Sequence, residues 1–288
     1  MPSTAQELKD FLASADRVAL VKVAGTKGST PRETGAFMLV SPESIHGTIG
    51  GGQLEYMAID KARQVLGSQT IHHGASEPGV TLDVPLGPEI GQCCGGRVEV
   101  SIRTVDDSIA GELLAAALRE DESLPHLYIF GGGHVGKALA ASAALLPVRV
   151  FVVETRAHEL EGLPPGVEKK LTPMPESAVR EAPAGSAFAV LTHDHALDFL
   201  IVAEALKRAD AAYVGMIGSK TKKATFRSWF LKTAGGTETQ FARLVSPIGG
   251  ETVKDKRPSV IAALAVAEMM TALALHRAGS EVSAEAGG

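Results

Sequence analysis

The stretch His126-Leu-Tyr-Ile-Phe130, running into Gly131-Gly132-Gly133-His134-Val135-Gly136, decides how the second half of this chain folds. Its first five residues read as an apolar strand. They lead directly into G-x-G-x-x-G, and helical spacing follows over Val135–Leu145, so the motif sits where a strand turns into a helix. In that setting each glycine has a physical task. Gly131 makes the tight turn, Gly133 lets a pyrophosphate approach the backbone, and Gly136 lets the helix close on the strand. The helix start adds free N–H groups and the positive end of the dipole. The next predicted strand ends at Glu154, 18 residues beyond Gly136, where a carboxylate takes ribose hydroxyls. Arg156 stands two residues further on and suits a phosphate, so NAD-like and other dinucleotides both stay open. The plainer reading of the same glycines is close strand–helix packing without a ligand.

Outward from this stretch the alternation continues. Strands are predicted at Arg149–Val153, Glu168–Leu171, Ala187–Leu191 and Ala212–Ile217. Helices are predicted at Ala196–Lys207, Lys220–Lys232 and Ser259–Arg277. This pattern argues an α/β unit with a parallel, doubly wound sheet. Ligands of such sheets sit beyond the carboxyl ends of the strands, and two segments fall there. Thr192-His193-Asp194-His195 suits a metal or a phosphate; an Asp194 helix cap flanked by two loop histidines accounts for it equally. Gly218-Ser219-Lys220 closes the following strand, with Ser219 and Lys220 as anion candidates and Lys222 and Lys223 read as a solvated face. Ala278–Gly288 is expected to be a disordered tail.

The first half reads as a separate α+β unit. Thr4-x-x-Glu7 is a capping box opening a short helix, and Arg17–Ala24 is strand-like. Ala36–Val40 and Ser44–Thr48 form a strand pair, and Leu54, Met57, Ala58, Ala62 and Val65 recur at helical spacing. Further strands are expected near Gln69–His73 and Gly96–Val105, then a helix over Ile109–Leu118. The charged, proline-ended Glu120–Pro125 suits a boundary, giving units 1–124 and 125–288.

Three loops of this half carry chemistry. Gly28-Ser29-Thr30-Pro31-Arg32 joins a flexible turn to hydroxyls and a guanidinium, a mix suited to gripping phosphate or carboxylate. Gly47-Thr48-Ile49-Gly50-Gly51-Gly52 precedes a helix and lets backbone N–H groups turn toward an anion. Glu55 in that helix's first turn also suits the dipole with no ligand present. Gly91-Gln92-Cys93-Cys94-Gly95-Gly96 is more unusual: adjacent thiols between glycines are soft ligands or nucleophiles in open backbone. Structural zinc normally takes four protein ligands, and the chain has no third cysteine. A strained adjacent disulfide is another outcome for this pair.

The 288 residues are 45% hydrophobic and 21% charged, the composition of an ordinary globular protein. A net charge of −5 gives no electrostatic reason to expect nucleic acid or an anionic membrane as partner. The N-terminus lacks a charged region followed by an apolar run, so no signal peptide is expected. Val260–Leu275 is apolar but short of a span and carries Glu268, which favours a buried helix. Two neighbouring cysteines and no export signal fit reduced thiols in the cytoplasm.

Taken together and in order, three segments resemble the XdhC/CoxI domain: Gly28-Ser-Thr-Pro-Arg-x-x-Gly35, Gly47-Thr-Ile-Gly-Gly-Gly-Gln-Leu-Glu55, and Leu86-Gly-Pro-x-x-Gly-Gln-Cys-Cys-Gly-Gly96. Four more in the second half resemble that family's Rossmann domain: Phe130-Gly-Gly-Gly-His-Val-Gly136, Thr192-His-Asp-His195, Tyr213-Val-Gly-Met-Ile-Gly-Ser-Lys220 and Ser246-Pro-Ile-Gly249. The likeness spans about residues 18 to 275. Glu154-Thr-Arg156 departs from the family's usual double-acid or Asp-Pro-Arg form, and Gly249-Gly250-Glu251 lacks the customary leucine.

The resemblance implies a cytoplasmic, homodimeric accessory protein rather than a turnover enzyme. Such a protein binds molybdenum cofactor, shields it while a cysteine desulfurase supplies its sulfido ligand, and passes it to a xanthine dehydrogenase-type apo-enzyme. On that reading Cys93 or Cys94 faces the molybdenum. Gly28, Ser29, Arg32, Gly50, Gly51, Gly52 and Gln92 line the same pocket. An NAD(P)-dependent oxidoreductase is the alternative, with His193 or His195 forced into acid/base work.

Overall fold

A computed structural model describes residues 4–68, 79–87 and 95–285. The chain divides into two compact units, the first ending at Glu122 and the second beginning at Ser123.

The first unit holds α1 (Thr4–Ala13), β1 (Ala19–Lys27), β2 (Phe37–Val40), β3 (Ile45–Gly47), α2 (Gly52–Ser68), β4 (Val80–Pro85), β5 (Arg97–Thr104) and α3 (Asp107–Ser123). The strands form one antiparallel sheet in the order β3-β2-β1-β5-β4. β1 is apolar on both faces because both are covered. Ala19, Val21 and Val23 meet Leu54, Ala58 and Ala62 of α2 in one cluster, while Leu20 joins Leu8 of α1 and Ile109 and Ala117 of α3 in another. The strand expected near Gln69–His73 lies outside the described residues, and the neighbour of β5 is β4, which begins at Val80. The charged segment expected to hold the boundary does contain the division between the units, and as far as Ser123 it is the last turn of α3. Asp121 in that turn accepts the Ala5 N–H at 3.0 Å, tying α3 to the start of α1.

The second unit contains β6 (His126–Phe130), α4 (His134–Ala143), β7 (Arg149–Glu154), β8 (Glu168–Leu171), α5 (Glu176–Glu181), β9 (Ala187–Val190), α6 (His195–Lys207), β10 (Tyr213–Met216), α7 (Lys220–Lys232), α8 (Glu238–Phe241), β11 (Leu244–Val245) and α9 (Pro258–Glu285). Its sheet is parallel in the order β11-β10-β9-β6-β7-β8, the doubly wound arrangement expected. Strand order reverses between β6 and β9, and the ligand crevice of this fold opens at that point.

Alternate residues of the central strands feed two cores. Leu127, Ile129, Val150, Val152, Ala187 and Ala189 pack with Leu139 of α4 and Ala265 and Met269 of α9. Tyr128, Phe130, Phe151, Val153, Phe188 and Val190 pack with Val179 of α5, Ile201 of α6 and Phe226 of α7. The Tyr128 and Phe151 rings stack at 4.6 Å. Burying one such ring contributes about 1.5–3 kcal/mol.

Helix α9 corrects two expectations. Pro258–Ser280, 23 residues, is long and apolar enough to cross a membrane by length and composition, so its length excludes nothing. What it does is pack: Ala262, Ala265, Met269 and Leu273 enter the core. Glu268 accepts the Tyr213 hydroxyl at 2.5 Å and the Gly249 N–H at 3.4 Å. Burial and that carboxylate push the Tyr213 phenol far above its ordinary range. The helix also continues through most of the predicted tail, to Glu285. A helix already nucleated extends at one hydrogen bond per residue, and alanine and glutamate favour it.

Candidate functional site

The glycine loop after β6 is built as its motif requires, with one addition. Gly131 has φ +115°, and a Cβ there would lie 2.4 Å from the Leu191 carbonyl at the end of β9. A Cβ at Gly136 would lie 1.9 Å from the Gly131 carbonyl, so only glycine lets α4 close on the turn. Gly133 meets nothing within 4 Å, leaving open space at the start of α4, whose N-cap supplies no side-chain bond. Gly132, not singled out from the sequence, is required too: a Cβ there would sit 2.5 Å from the carbonyl of Glu159, in the 3-10 turn Ala157–Leu160 that follows β7.

Glu154 ends β7 beside this loop and is 4% exposed. Its Oε2 accepts the Gly132 N–H at 2.9 Å; its Oε1 accepts the Thr155 N–H at 2.8 Å and the Arg156 N–H at 3.2 Å. The Arg156 guanidinium adds Nε to Oε1 at 3.4 Å and Nη2 to Oε2 at 3.5 Å. Burial alone would raise this carboxyl, but the Gly132 N–H, Arg156 and the neighbouring amides outweigh it and hold the pKa at about 2. Glu154 therefore anchors the glycine loop as well as Arg156. The free ribose acceptor expected from the sequence is an already engaged, buried carboxylate.

The segment after β9 resolves in favour of the helix cap. Asp194 Oδ1 accepts the Ala196 N–H at 2.7 Å and the Leu197 N–H at 3.4 Å, while His193 and His195 are exposed on either side. Among the described residues no group of three His, Cys, Asp or Glu is placed to hold a metal. The buried polar centre is Asp198, one turn further along α6. Its Oδ1 accepts the Thr192 N–H at 2.9 Å and the Thr192 hydroxyl at 2.7 Å, and its Oδ2 pairs with Lys222. Lys222 is not a solvated lysine: its side chain is 8% exposed and also donates to the Ile217 carbonyl at 3.0 Å. Ser219 caps α7, accepting the Lys222 N–H at 3.3 Å. Lys220, expected to face the crevice, is 84% exposed and pairs with Glu251 at 3.2 Å. A short loop turns the first residue of α7 to solvent and the third inward. A lone acid in the apolar run Ala196-Leu-Asp-Phe-Leu-Ile-Val was the legible sign of Asp198.

In the first unit three loops converge. Ser29 and Gly95 form an isolated parallel bridge, and a Cβ at Gly28 would lie 3.3 Å from Gly96 Cα. Leu86 and the Gly95–Gly96 pair close the base of the cysteine loop: Leu86 N–H donates to Gly96 O at 2.8 Å and Gly95 N–H to Leu86 O at 2.9 Å. Gly50, at φ +128°, is pressed on Pro31, whose Cγ would be 2.7 Å from an added Cβ. Arg32 lies alongside, and among the described residues it pairs loosely with Glu33 at 3.7 Å. Among the described residues nothing lies within 4 Å of a Cβ added at Gly51 or Gly95. Gln92, Cys93 and Cys94 lie outside the described residues.

The triple-glycine loop does not hold out its amides as expected. Glu55 Oε2 accepts the Ile49 N–H and the Gly51 N–H, each at 3.1 Å, and the Thr48 hydroxyl. Gly50 N–H donates to Thr48 Oγ1 at 3.1 Å. An internal carboxylate, one turn into α2, takes the place an external anion was expected to fill.

Comparison with known proteins agrees with this division. Residues 127–269 match the XdhC Rossmann domain, and residues 11–74 match the XdhC and CoxI family. The uncharacterized protein YqeB of Escherichia coli (strain K12) is 28% identical over 264 residues, covering 88% of this chain and 43% of that protein. The chain thus spans less than half the length of that curated relative. A crystal structure described as a xanthine dehydrogenase from Bacillus halodurans superposes with a TM-score of 0.74 at 18% identity, over 94% of this chain and 96% of the other. At that identity the likeness is one of fold. The two matched regions follow one another in the order of the two units described above, and the chain belongs to the XdhC/CoxI family.

Proposed function

We propose that this protein is a maturation factor for a xanthine dehydrogenase-type molybdoenzyme: it binds molybdenum cofactor in its first unit, protects it during sulfuration, and delivers it to the apo-enzyme. The observation that carries this reading is the convergence of the Gly28–Arg32 loop, the Gly47–Gly52 loop and the base of the cysteine loop, with nothing among the described residues within 4 Å of a Cβ added at Gly51 or Gly95. Molybdenum cofactor, when bound, supplies a dithiolene-held metal and a phosphate tail. The donor set suits it by its chemistry: the thiols of Cys93 and Cys94 would supply soft sulfur, and Arg32, loosely paired, would be the cation for oxo or phosphate oxygens. Because Glu55 occupies the Ile49 and Gly51 amides, the anion grip falls to Arg32 and Ser29 rather than to the triple glycine. A cysteine desulfurase as sulfur source, a homodimer and a cytoplasmic setting belong to the same reading.

The crevice of the second unit is proposed to bind a nucleotide, on the strength of Gly133's open space and the uncapped start of α4. Under the oxidoreductase alternative that nucleotide would be a hydride carrier, and nicotinamide titration with a fluorescence readout tests it directly.

The deciding experiment for the carrier is anaerobic incubation of the full chain with molybdenum cofactor followed by gel filtration. Co-elution of molybdenum and pterin is expected, weakened about tenfold by Arg32→Ala, as for the loss of one charge-assisted pair. Cys93→Ala or Cys94→Ala should lower it further. Equal retention by wild type and all three variants would sink the assignment.

A further inference from the structure

The crevice of the second unit also discriminates between nucleotides, an inference that rests on the nucleotide reading above. The groups that would meet an adenosine ribose lie at the end of β7 and in the turn after it. Arg156 is the residue that suits a 2′-phosphate, and its side chain is 33% exposed. Its donor edge is already engaged: Nε and Nη2 reach Glu154 at 3.4 and 3.5 Å, and Nη2 reaches Glu159 at 3.4 Å. Lys137, on the second turn of α4, is paired in turn with Glu159 at 3.8 Å. His158 also faces Glu159, at 3.8 Å. Two fixed cations thus meet two carboxylates, and no net positive charge is left over. Glu154 is ionised at any physiological pH, because the Gly132 amide and Arg156 hold its carboxyl at about 2.

A phosphomonoester carries about −1.5 to −2 charges at neutral pH. Entering here, it would have to pull Arg156 from two carboxylates and then sit beside them. Like charges brought together in this way disfavour binding, by about tenfold in affinity or more. A ribose diol is neutral and donates hydrogen bonds. Glu159, partly open to solvent, is an acceptor of the right kind, and the buried, already engaged Glu154 carboxylate contributes its charge. We infer that the crevice takes nucleotides with an unmodified adenosine ribose and rejects their 2′-phosphorylated counterparts, with Glu154 and Glu159 as the determinants and Arg156 tied down between them.

NAD⁺ and NADP⁺ differ only in the 2′-phosphate and are the probes to use. Calorimetric titration of the full-length protein with each should give NAD⁺ binding at least about tenfold tighter. Glu159→Gln frees Arg156 and Lys137 from one carboxylate while the backbone carbonyl that backs onto Gly132 remains. That variant should narrow the preference or reverse it, read as a fall in the ratio of the NADP⁺ Kd to the NAD⁺ Kd. Equal affinities in the wild type, or tighter NADP⁺, would overturn the selectivity and leave the nucleotide site standing. If neither binds, the nucleotide reading itself fails and the selectivity goes with it. An unchanged ratio in Glu159→Gln would remove Glu159 as a determinant and refute the charge argument.

Discussion

Lys222 and Asp198 form an ion pair inside the second unit, joining the first turn of α7 to the first turn of α6. Asp198 is 0% exposed, and its other oxygen holds the amide and hydroxyl of Thr192. The pair fixes the loops that leave β9 and β10, the wall of the crevice on the far side of the glycine loop.

Removing one partner leaves a buried charge uncompensated. Lys222→Met is expected to destabilise the protein by about 3–5 kcal/mol, read as a fall in the urea unfolding midpoint. Adding Asp198→Asn should restore a large part of this, since the amide oxygen still accepts from Thr192 without a charge to neutralise. A double variant no more stable than Lys222→Met would show that the pair acts through packing and not charge.

Glu154 makes stability depend on pH in a defined direction. Its carboxyl titrates at about 2 when folded against an ordinary 4.5, so the contribution is complete above pH 4.5 and is lost as pH falls toward 2. At neutral pH it is on the order of 3 kcal/mol. Glu154→Gln should be less stable at pH 7, and its difference from wild type should shrink steadily in unfolding curves taken between pH 4.5 and 2.5.

Two glycines of one motif should separate folding from binding. Gly136→Ala puts a methyl 1.9 Å from a carbonyl oxygen and should lower Tm by several degrees, at about 1–3 kcal/mol for overpacking. Gly133→Ala meets open space at φ −68°, so Tm should stay unchanged while nucleotide affinity falls. Unaltered affinity in a well-folded Gly133→Ala would mean that the open space holds no ligand.

Glu55 is expected to be the pin of the triple-glycine loop. Glu55→Ala leaves the Ile49 and Gly51 amides and the Thr48 hydroxyl without their acceptor, at about 1–3 kcal/mol. Those two amides should then exchange hydrogen markedly faster. Glu55→Gln keeps an acceptor oxygen and should restore most of the protection.

Much of the parallel sheet was legible because its central strands are short apolar runs that alternate with segments of helical spacing. His126–Phe130, Glu168–Leu171 and Lys220–Lys232 fall where they were predicted. What was missed carries weak local signals. β11 is two residues long, and α5 and α8 are six and four residues long and held by their neighbours. α5 ends against the Arg208 guanidinium, which donates to the Val179 and Ala182 carbonyls at 2.7 and 2.6 Å from 26 to 29 residues away.

Sequence alone determined the two-unit plan, the doubly wound sheet and the family, because hydrophobic period and glycine spacing are local properties that survive without knowledge of partners. Tertiary structure alone decided which polar groups are engaged. Glu55 and Glu154 each close on backbone amides of a glycine loop, Asp198 takes Lys222 inward, and Lys220 is left to solvent. A charged side chain's role depends on which donors lie within about 3 Å in space, and spacing along the chain does not encode that.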